Sequence, residues 1–354
     1  MALREQRGPR PTFAPQFVID SVITQETENV RMSTFLPKIS LVCFALLCAP
    51  ALAQGPTAPV TKASYTAPRT SFGHPSLEGI WTQNFVILME STAQAPMLVL
   101  PEAAAKQMAD AAAKGIGDAL DRGLDPEVPE LMKAADGLPL VLGERRTRSV
   151  VLPADGKLPY TPAARKESQR GSPSVMAENI EERPNWERCI TSLGLPPVTG
   201  MGTTSANPRH IIQTPSQVVI HTEYGDEARI IPLTGTHKPE ALHSSLGDSI
   251  ARWEGETLVV ETIGLPANDR VRFFSNLVVG ANSKVTERFT RVAENELLYQ
   301  YTVEDPSIYT APWLAEYSLY KTSQRMFEHA CHEGNLSLPH ILMAQRMEEQ
   351  RAKP

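Results

Sequence analysis

The chain has 354 residues, with 34 Lys and Arg against 40 Asp and Glu, for a formal net charge of -6. That mild acidity, with no basic run and no basic patch interleaved with aromatics, excludes the electrostatic footprint of a nucleic-acid binder, so no such partner is expected. The length suffices to bury a large core as one domain with an appendage.

The segment from Met32, "MSTFLPKISLVCFALLCAPALAQ", places Lys38 before an apolar run from Ile39 to Leu47, then Ala51-Leu52-Ala53 before Gln54. A short apolar run ending in small residues is an export signal, too short to stay as a membrane anchor. Residues 32–53 are therefore read as a signal peptide and residues 1–31 as an extension upstream of the true start, with a disordered tail as the alternative. The mature chain is expected in the periplasm, with no membrane partner once the signal is cleaved. Cys43 and Cys48 leave with the signal, and Cys189 and Cys331 remain. In an oxidising compartment two cysteines are most simply a disulfide; the alternative is two separate buried thiols.

Residues 54–75 are rich in Pro, Thr, Ala and Ser without a period and read as a disordered leader. Residues 76–185 read as an appendage. In it "LEGIWTQN" opens a strand, "PEAAAKQMADAAAKGIGDAL" predicts a helix from Pro101 to about Leu120, and Asp155-Gly156 predicts a hairpin before the short helix "PAARKESQR".

Residues 186–346 read as a β-domain. "RHIIQT", "SQVVIHTEY", "EARIIPLTG", "SIARWEG", "ETLVVETIG", "KVTERFTRV", "ELLYQYTVED", "LAEYSLYKT" and "RMFEHAC" are each rich in Val, Ile, Thr and Tyr. Gly225-Asp226, Glu254-Gly255 and Glu294-Asn295 supply turns between them. Sequential strands with short turns favour a mainly β fold, an antiparallel up-and-down β-barrel with a few N-terminal helices; a β-sandwich is the alternative. The period of two puts Leu297, Tyr299, Tyr301 and Val303 on one face.

The motifs "ERPNWERC", "IIQTPSQVVI", "GDSIARWEGETLVVET", "TERFTRV", "YTVEDPSIYTAPWLAEY" and "ACHEGN" resemble, in unbroken order from Ser149 to Arg346, those of a large group of exported bacterial proteins. The resemblance implies a lipocalin-like barrel and, loosely, cofactor-independent decarboxylation of lignin-derived phenolic compounds, so no cofactor is expected. The chain departs from that pattern at "YGDEARII", "SSLGDS" and "GANSKVTER", where the relatives tend to carry His or Trp.

Polar clusters supply the candidate site. In "MFEHACHEGN", His329, His332 and Glu333 lack zinc-ligand spacing, and a strand would split them between two faces, so no metal is expected. Arg229, in an apolar run, is either a paired structural ion or a bidentate grip on a substrate carboxylate. Arg252, Asp248 and Glu261 share a face and read as a cross-strand ion network. Absence of G-x-S-x-G, phosphate-loop and dinucleotide signatures argues against the enzymes that use them.

Two readings follow. In the first, the protein is a lyase acting on a small aromatic acid: Arg229 holds the carboxylate, with Tyr301 and Glu333 as further substrate contacts. Glu304 or His332 then supplies a proton and Tyr309 orients the phenol. In the second, it binds a small apolar or aromatic molecule without chemistry.

Overall fold

A computed structural model describes residues 65–83, 87–121, 138–170, 179–192, 194–198, 207–266 and 277–352. The signal peptide, the upstream extension and the start of the leader lie outside the described residues.

The chain opens with β1 (Gly79–Thr82) and β2 (Val99–Leu100), followed by helix α1 (Glu102–Asp121). Alanine-rich composition and Pro101 just before the first turn explain α1, which starts and ends within a residue of its expected bounds. Then come β3 (Leu140–Val141), β4 (Glu144–Arg146), β5 (Val150–Leu152) and helix α2 (Pro162–Arg170). The main run follows: β6 (Arg209–Gln213), β7 (Gln217–Thr222), β8 (Glu227–Pro232), β9 (Asp248–Glu254), β10 (Thr257–Ile263), β11 (Lys284–Ala293), β12 (Glu296–Glu304) and β13 (Trp313–Thr322). Short helix α3 (Cys331–Gly334) and α4 (Ser337–Ala352) close the chain.

The large sheet is antiparallel in every recorded pairing, with the order β8-β7-β6-β1-β13-β12-β11-β10-β9 and β5 added to β13 off this path. The β2, β4 and β3 strands form a separate small sheet. Two hairpin meanders, β6 to β8 and β9 to β13, are therefore joined through β1. Gln213 fixes that junction: its side-chain oxygen accepts from Leu77 N at 2.6 Å and its amide donates to the Pro75 carbonyl at 3.0 Å. Alternation of direction along the path makes β8 and β9, its two ends, run the same way. They share no ladder among the described residues, yet Arg229 of β8 donates to Ser249 Oγ of β9 at 3.1 Å, so the sheet curls until its ends are within side-chain reach.

One face of the curled sheet is the core. Trp81, Ile211, Val218, Phe289, Tyr299 and Tyr317 all lie on it, and burying each large apolar side chain contributes about 1.5–3 kcal/mol. The expected turns form, with Gly225 at φ 95° and Gly255 at φ 61°, a left-handed conformation that glycine adopts without strain.

Several expectations need correction. Asp155-Gly156 makes a turn but no hairpin: β5 pairs with β13 at Leu314 and Ala315, and a Cβ on Gly156 would collide with the Arg148 side chain packed over it. "RMFEHAC" is not a strand, so its alternating faces do not exist; residues 323–330 are irregular and α3 follows. Helix α4 was not anticipated. Residues 65–75 of the expected disordered leader lie against the β-domain, with Ala67 buried, an Arg69–Pro75 bridge and an Arg69–Glu256 ion pair. β1, assigned to the appendage, is central to the large sheet. Nor is there a single Arg252–Asp248–Glu261 network: Arg252 pairs with Glu254 at 2.6 Å, while His237 bridges Asp248 (2.8 Å) and Glu261 (3.3 Å).

Candidate functional site

The inner face carries charges at positions where alternation calls for apolar residues. On β8, Glu227, Arg229 and Ile231 point inward while Ala228 and Ile230 face solvent. On β11, Val285, Glu287, Phe289 and Arg291 share the inner parity. Arg229 and Glu287 meet as a bidentate pair, Nη2 to Oε2 at 2.6 Å and Nη1 to Oε1 at 3.1 Å, with side chains 3% and 0% exposed. Arg229 Nη2 also reaches Thr262 Oγ1 at 3.2 Å, and Thr262 and Ser249 hydroxyls lie 2.8 Å apart. Tyr299 donates its phenol proton to Glu287 Oε1 at 2.7 Å. Five side chains from β8, β9, β10, β11 and β12 thus converge on one buried polar node.

Burial alone would push the Arg229 guanidinium down, but the Glu287 carboxylate outweighs it and holds the guanidinium above its ordinary range. Burial, then the charge of Glu287, pushes the Tyr299 phenol far up; burial likewise raises Tyr301 and Tyr317. All three therefore keep their protons across the physiological range. The rings continue the node into an aromatic ladder: Phe289–Tyr299 at 4.9 Å, Tyr299–Tyr301 at 5.5 Å, Tyr301–Trp313 at 5.7 Å, Trp313–Tyr309 at 5.6 Å and Tyr309–Tyr160 at 5.0 Å.

A raised folded-state value means the unfolded chain loses these protons first, so their contribution to stability is complete below about pH 10 and falls as pH rises beyond it. In an alkaline titration followed by phenolate absorbance, the buried tyrosines are expected to ionise together with loss of tertiary structure. Gradual ionisation of every tyrosine in the folded protein would contradict their burial.

The segment Gly194–Val198 covers this node, with Leu195 and Val198 buried. Val198 N donates to Tyr299 Oη at 3.0 Å and Tyr317 Oη donates to the Val198 carbonyl at 3.0 Å. The other end is held by Glu227, whose carboxylate accepts from Gly194 N at 2.7 Å and from Ser192 N. Just upstream, Cys189 and Cys331 form a disulfide that ties this segment to the C-terminal region. A cleft beside the disulfide is lined by Trp186, Tyr224, Glu227 and His329.

The expected site residues do not assemble as a group. Arg229 and Tyr301 are on the inner face, but the carboxylate that Arg229 grips is Glu287 of its own chain. Glu304 lies on the outer parity of β12, 41% exposed and 3.3 Å from Lys284 Nζ, because Val303 takes the inward position. Tyr309 is buried, and its hydroxyl donates to the Val278 carbonyl at 2.6 Å, which makes it a ladder residue rather than a group at an open mouth. His332 and Glu333 are exposed on α3, on the far side of the disulfide cysteine from the inner face's strands in sequence and without a contact to its node. Among the described residues no group of three His, Cys, Asp or Glu is arranged to hold a metal ion.

For Glu304→Gln the expectation is now a change in unfolding free energy within about 0.5 kcal/mol, since an exposed pair contributes little. Chemical denaturation of the variant checks this, and a large loss would show that Glu304 does more than meet Lys284.

Sequence reasoning passed over Glu287, Tyr299, Ser249 and Thr262 as site residues. The signal was present for Glu287: in "KVTERFTRV" it shares the parity of Val285 and Phe289, and an acid at a core-facing position requires a buried partner.

No protein-family description matches the chain, and no curated protein does. Among solved structures, a mutant form of the fluorescent protein UnaG is similar with a TM-score of 0.23 and 13% identity, over 40% of this chain and 90% of that one. At that TM-score the likeness carries no argument about this chain. No helix among the described residues is long and apolar enough to cross a membrane.

Proposed function

We propose that the nine-strand path closes as an up-and-down, lipocalin-like barrel, with β8 and β9 as a parallel seam, and that its interior is a site for cofactor-independent lyase chemistry on a small phenolic acid. The observation that carries the reading is the buried Arg229–Glu287–Tyr299 node, a charged group and a phenol in one hydrogen-bonded chain at the end of an aromatic ladder. In decarboxylation the carbon–carboxyl bond breaks, CO2 leaves, and the electron pair left on carbon takes a proton. The Tyr299 hydroxyl gives that proton, and a proton from solvent returns to the phenolate by way of the Glu287 carboxylate, which Arg229 keeps in its ionised form before and after. This replaces Glu304 and His332 in the proton-transfer role. The disulfide supports an exported, periplasmic protein, because such bonds persist in oxidising compartments.

A second reading, a binding protein for a small aromatic or apolar molecule, is favoured by one observation: Glu287 is already matched by Arg229 and Tyr299, and Val198 spans Tyr299 and Tyr317. Incubating the mature protein with a panel of phenolic acids while following CO2 release separates the two. Turnover that falls by roughly 10²- to 10⁴-fold in a folded Glu287→Gln variant supports the lyase. Binding without CO2 leaves the second reading, and neither binding nor release removes both.

A further inference from the structure

Besides Arg229 and Arg291, the inner face holds a buried arginine that no carboxylate among the described residues matches. Arg209, at the start of β6, is 4% exposed. Its Nε and Nη1 are buried and have no hydrogen-bond partner among the described residues, and it forms no ion pair with any described carboxylate. The other inward arginines differ. Arg229 is neutralised by Glu287, and Arg291 donates to the carbonyls of Ser76 (3.1 Å) and Glu294 (2.6 Å) while lying 5.7 Å from the Trp81 ring centroid. An isolated buried guanidinium is among the most costly groups a fold can contain, so its retention calls for an anion that completes it.

Its surroundings indicate where that anion sits. Arg209 is in register with Trp81 on β1 and Thr222 on β7, and Thr222 is in register with Glu227 on β8, so the residue belongs to the layer where Gly194–Val198 begins its path across the inner face. Its charge also acts on the Tyr317 phenol, the group that now donates to the Val198 carbonyl. A ligand oxyanion here would accept from both the guanidinium and that phenol, taking the place of the Val198 carbonyl at Tyr317.

We infer that Arg209 is the anchor for the carboxylate of an aromatic acid bound on the inner face, with Tyr317 as second donor and the ligand ring lying along the Tyr299–Tyr301 ladder. The inference rests on the reading of the interior as a ligand site, and it moves the carboxylate-holding role from Arg229 to Arg209. It requires no chemistry, so a purely binding protein would carry it equally.

Calorimetric titration at pH 7 with 4-hydroxycinnamate and with its uncharged methyl ester tests it on the mature protein. The wild type is expected to bind the acid at least about tenfold more tightly than the ester. Arg209→Gln should lose roughly 10- to 100-fold in affinity for the acid, the range of one charge-assisted hydrogen bond, and leave the ester unchanged. Arg209→Lys should recover part of the loss, because it returns the charge without the planar fork. If Arg209→Gln does not fold, the Lys variant and the wild-type preference for acid over ester decide. Equal binding of acid and ester by the wild type, no binding of either, or acid binding untouched in a folded Arg209→Gln variant overturns the inference. CO2 release measured on the same samples keeps the two proposals apart. Arg209-dependent binding without CO2 removes the lyase alone; CO2 release with a KM indifferent to Arg209→Gln removes this inference alone.

Discussion

Replacing Glu287 with alanine is expected to destabilise the protein by about 3–5 kcal/mol, read as a lowered denaturation midpoint at unchanged slope. Arg229 would be left inside the sheet with its charge uncompensated, and the Tyr299 hydroxyl would lose its acceptor. The magnitude comes from breaking the pair, not from its net worth, because desolvation of two ions offsets most of their attraction. The double variant Arg229→Met, Glu287→Leu should therefore recover most of the loss, since it removes both charges and fills similar space. A single Glu287→Ala variant as stable as the parent would show that water or another group reaches Arg229.

Loss of the Cys189–Cys331 disulfide is expected to be nearly as costly. The bond closes a separation of 142 residues, for which loop-closure entropy corresponds to about 5 kcal/mol as an upper figure; about 2–5 kcal/mol is the usual loss when a native bridge is removed. Cys331→Ser should lower the unfolding free energy of the oxidised protein by that amount and leave the already reduced protein unchanged. Intact mass before and after reduction with alkylation establishes the bond itself. The bridge stands next to the segment that Glu227 and Tyr299 hold across the inner face, so the variant should also speed amide exchange at Gly194 and Val198. Exchange there as slow as in the parent would mean that the hydrogen bonds alone fix the segment.

Much of the strand framework is legible without coordinates. "SIARWEGETLVVET" and "KVTERFTRVAENELLYQYTVE" state their turns through Glu254-Gly255 and Glu294-Asn295, and their inward sets follow from the period of two; β9 to β12 fall where the pattern puts them. α1 is legible for the same local reasons, alanine propensity and a proline at its start. The cysteine pair is legible by elimination once an export signal is read. "RMFEHAC" misleads because its apolar spacing resembles a strand, yet among the described residues it has no ladder with a neighbouring strand, and its cysteine is bonded to Cys189 and opens α3.

Chemistry along the chain is a different matter. Glu304 and Tyr309 stand together in "TVEDPSIYT" and look like a site, yet the strand's parity sends Glu304 outward to Lys284, while the turn that follows buries Tyr309 with its hydroxyl on the Val278 carbonyl. Arg229 and Glu287 are 58 residues apart and meet because the sheet curls. Arg209 has no acid beside it among the described residues because the strands that β6 joins, β1 and β7, bring Trp81 and Thr222 into register with it. Local pattern carries strand, helix, turn and facing, since those depend on neighbours a few residues away. Which charges meet, and which one stays unmatched, depends on long-range register and curvature, and these exist only once β1 has joined the two meanders and β8 has come round to β9.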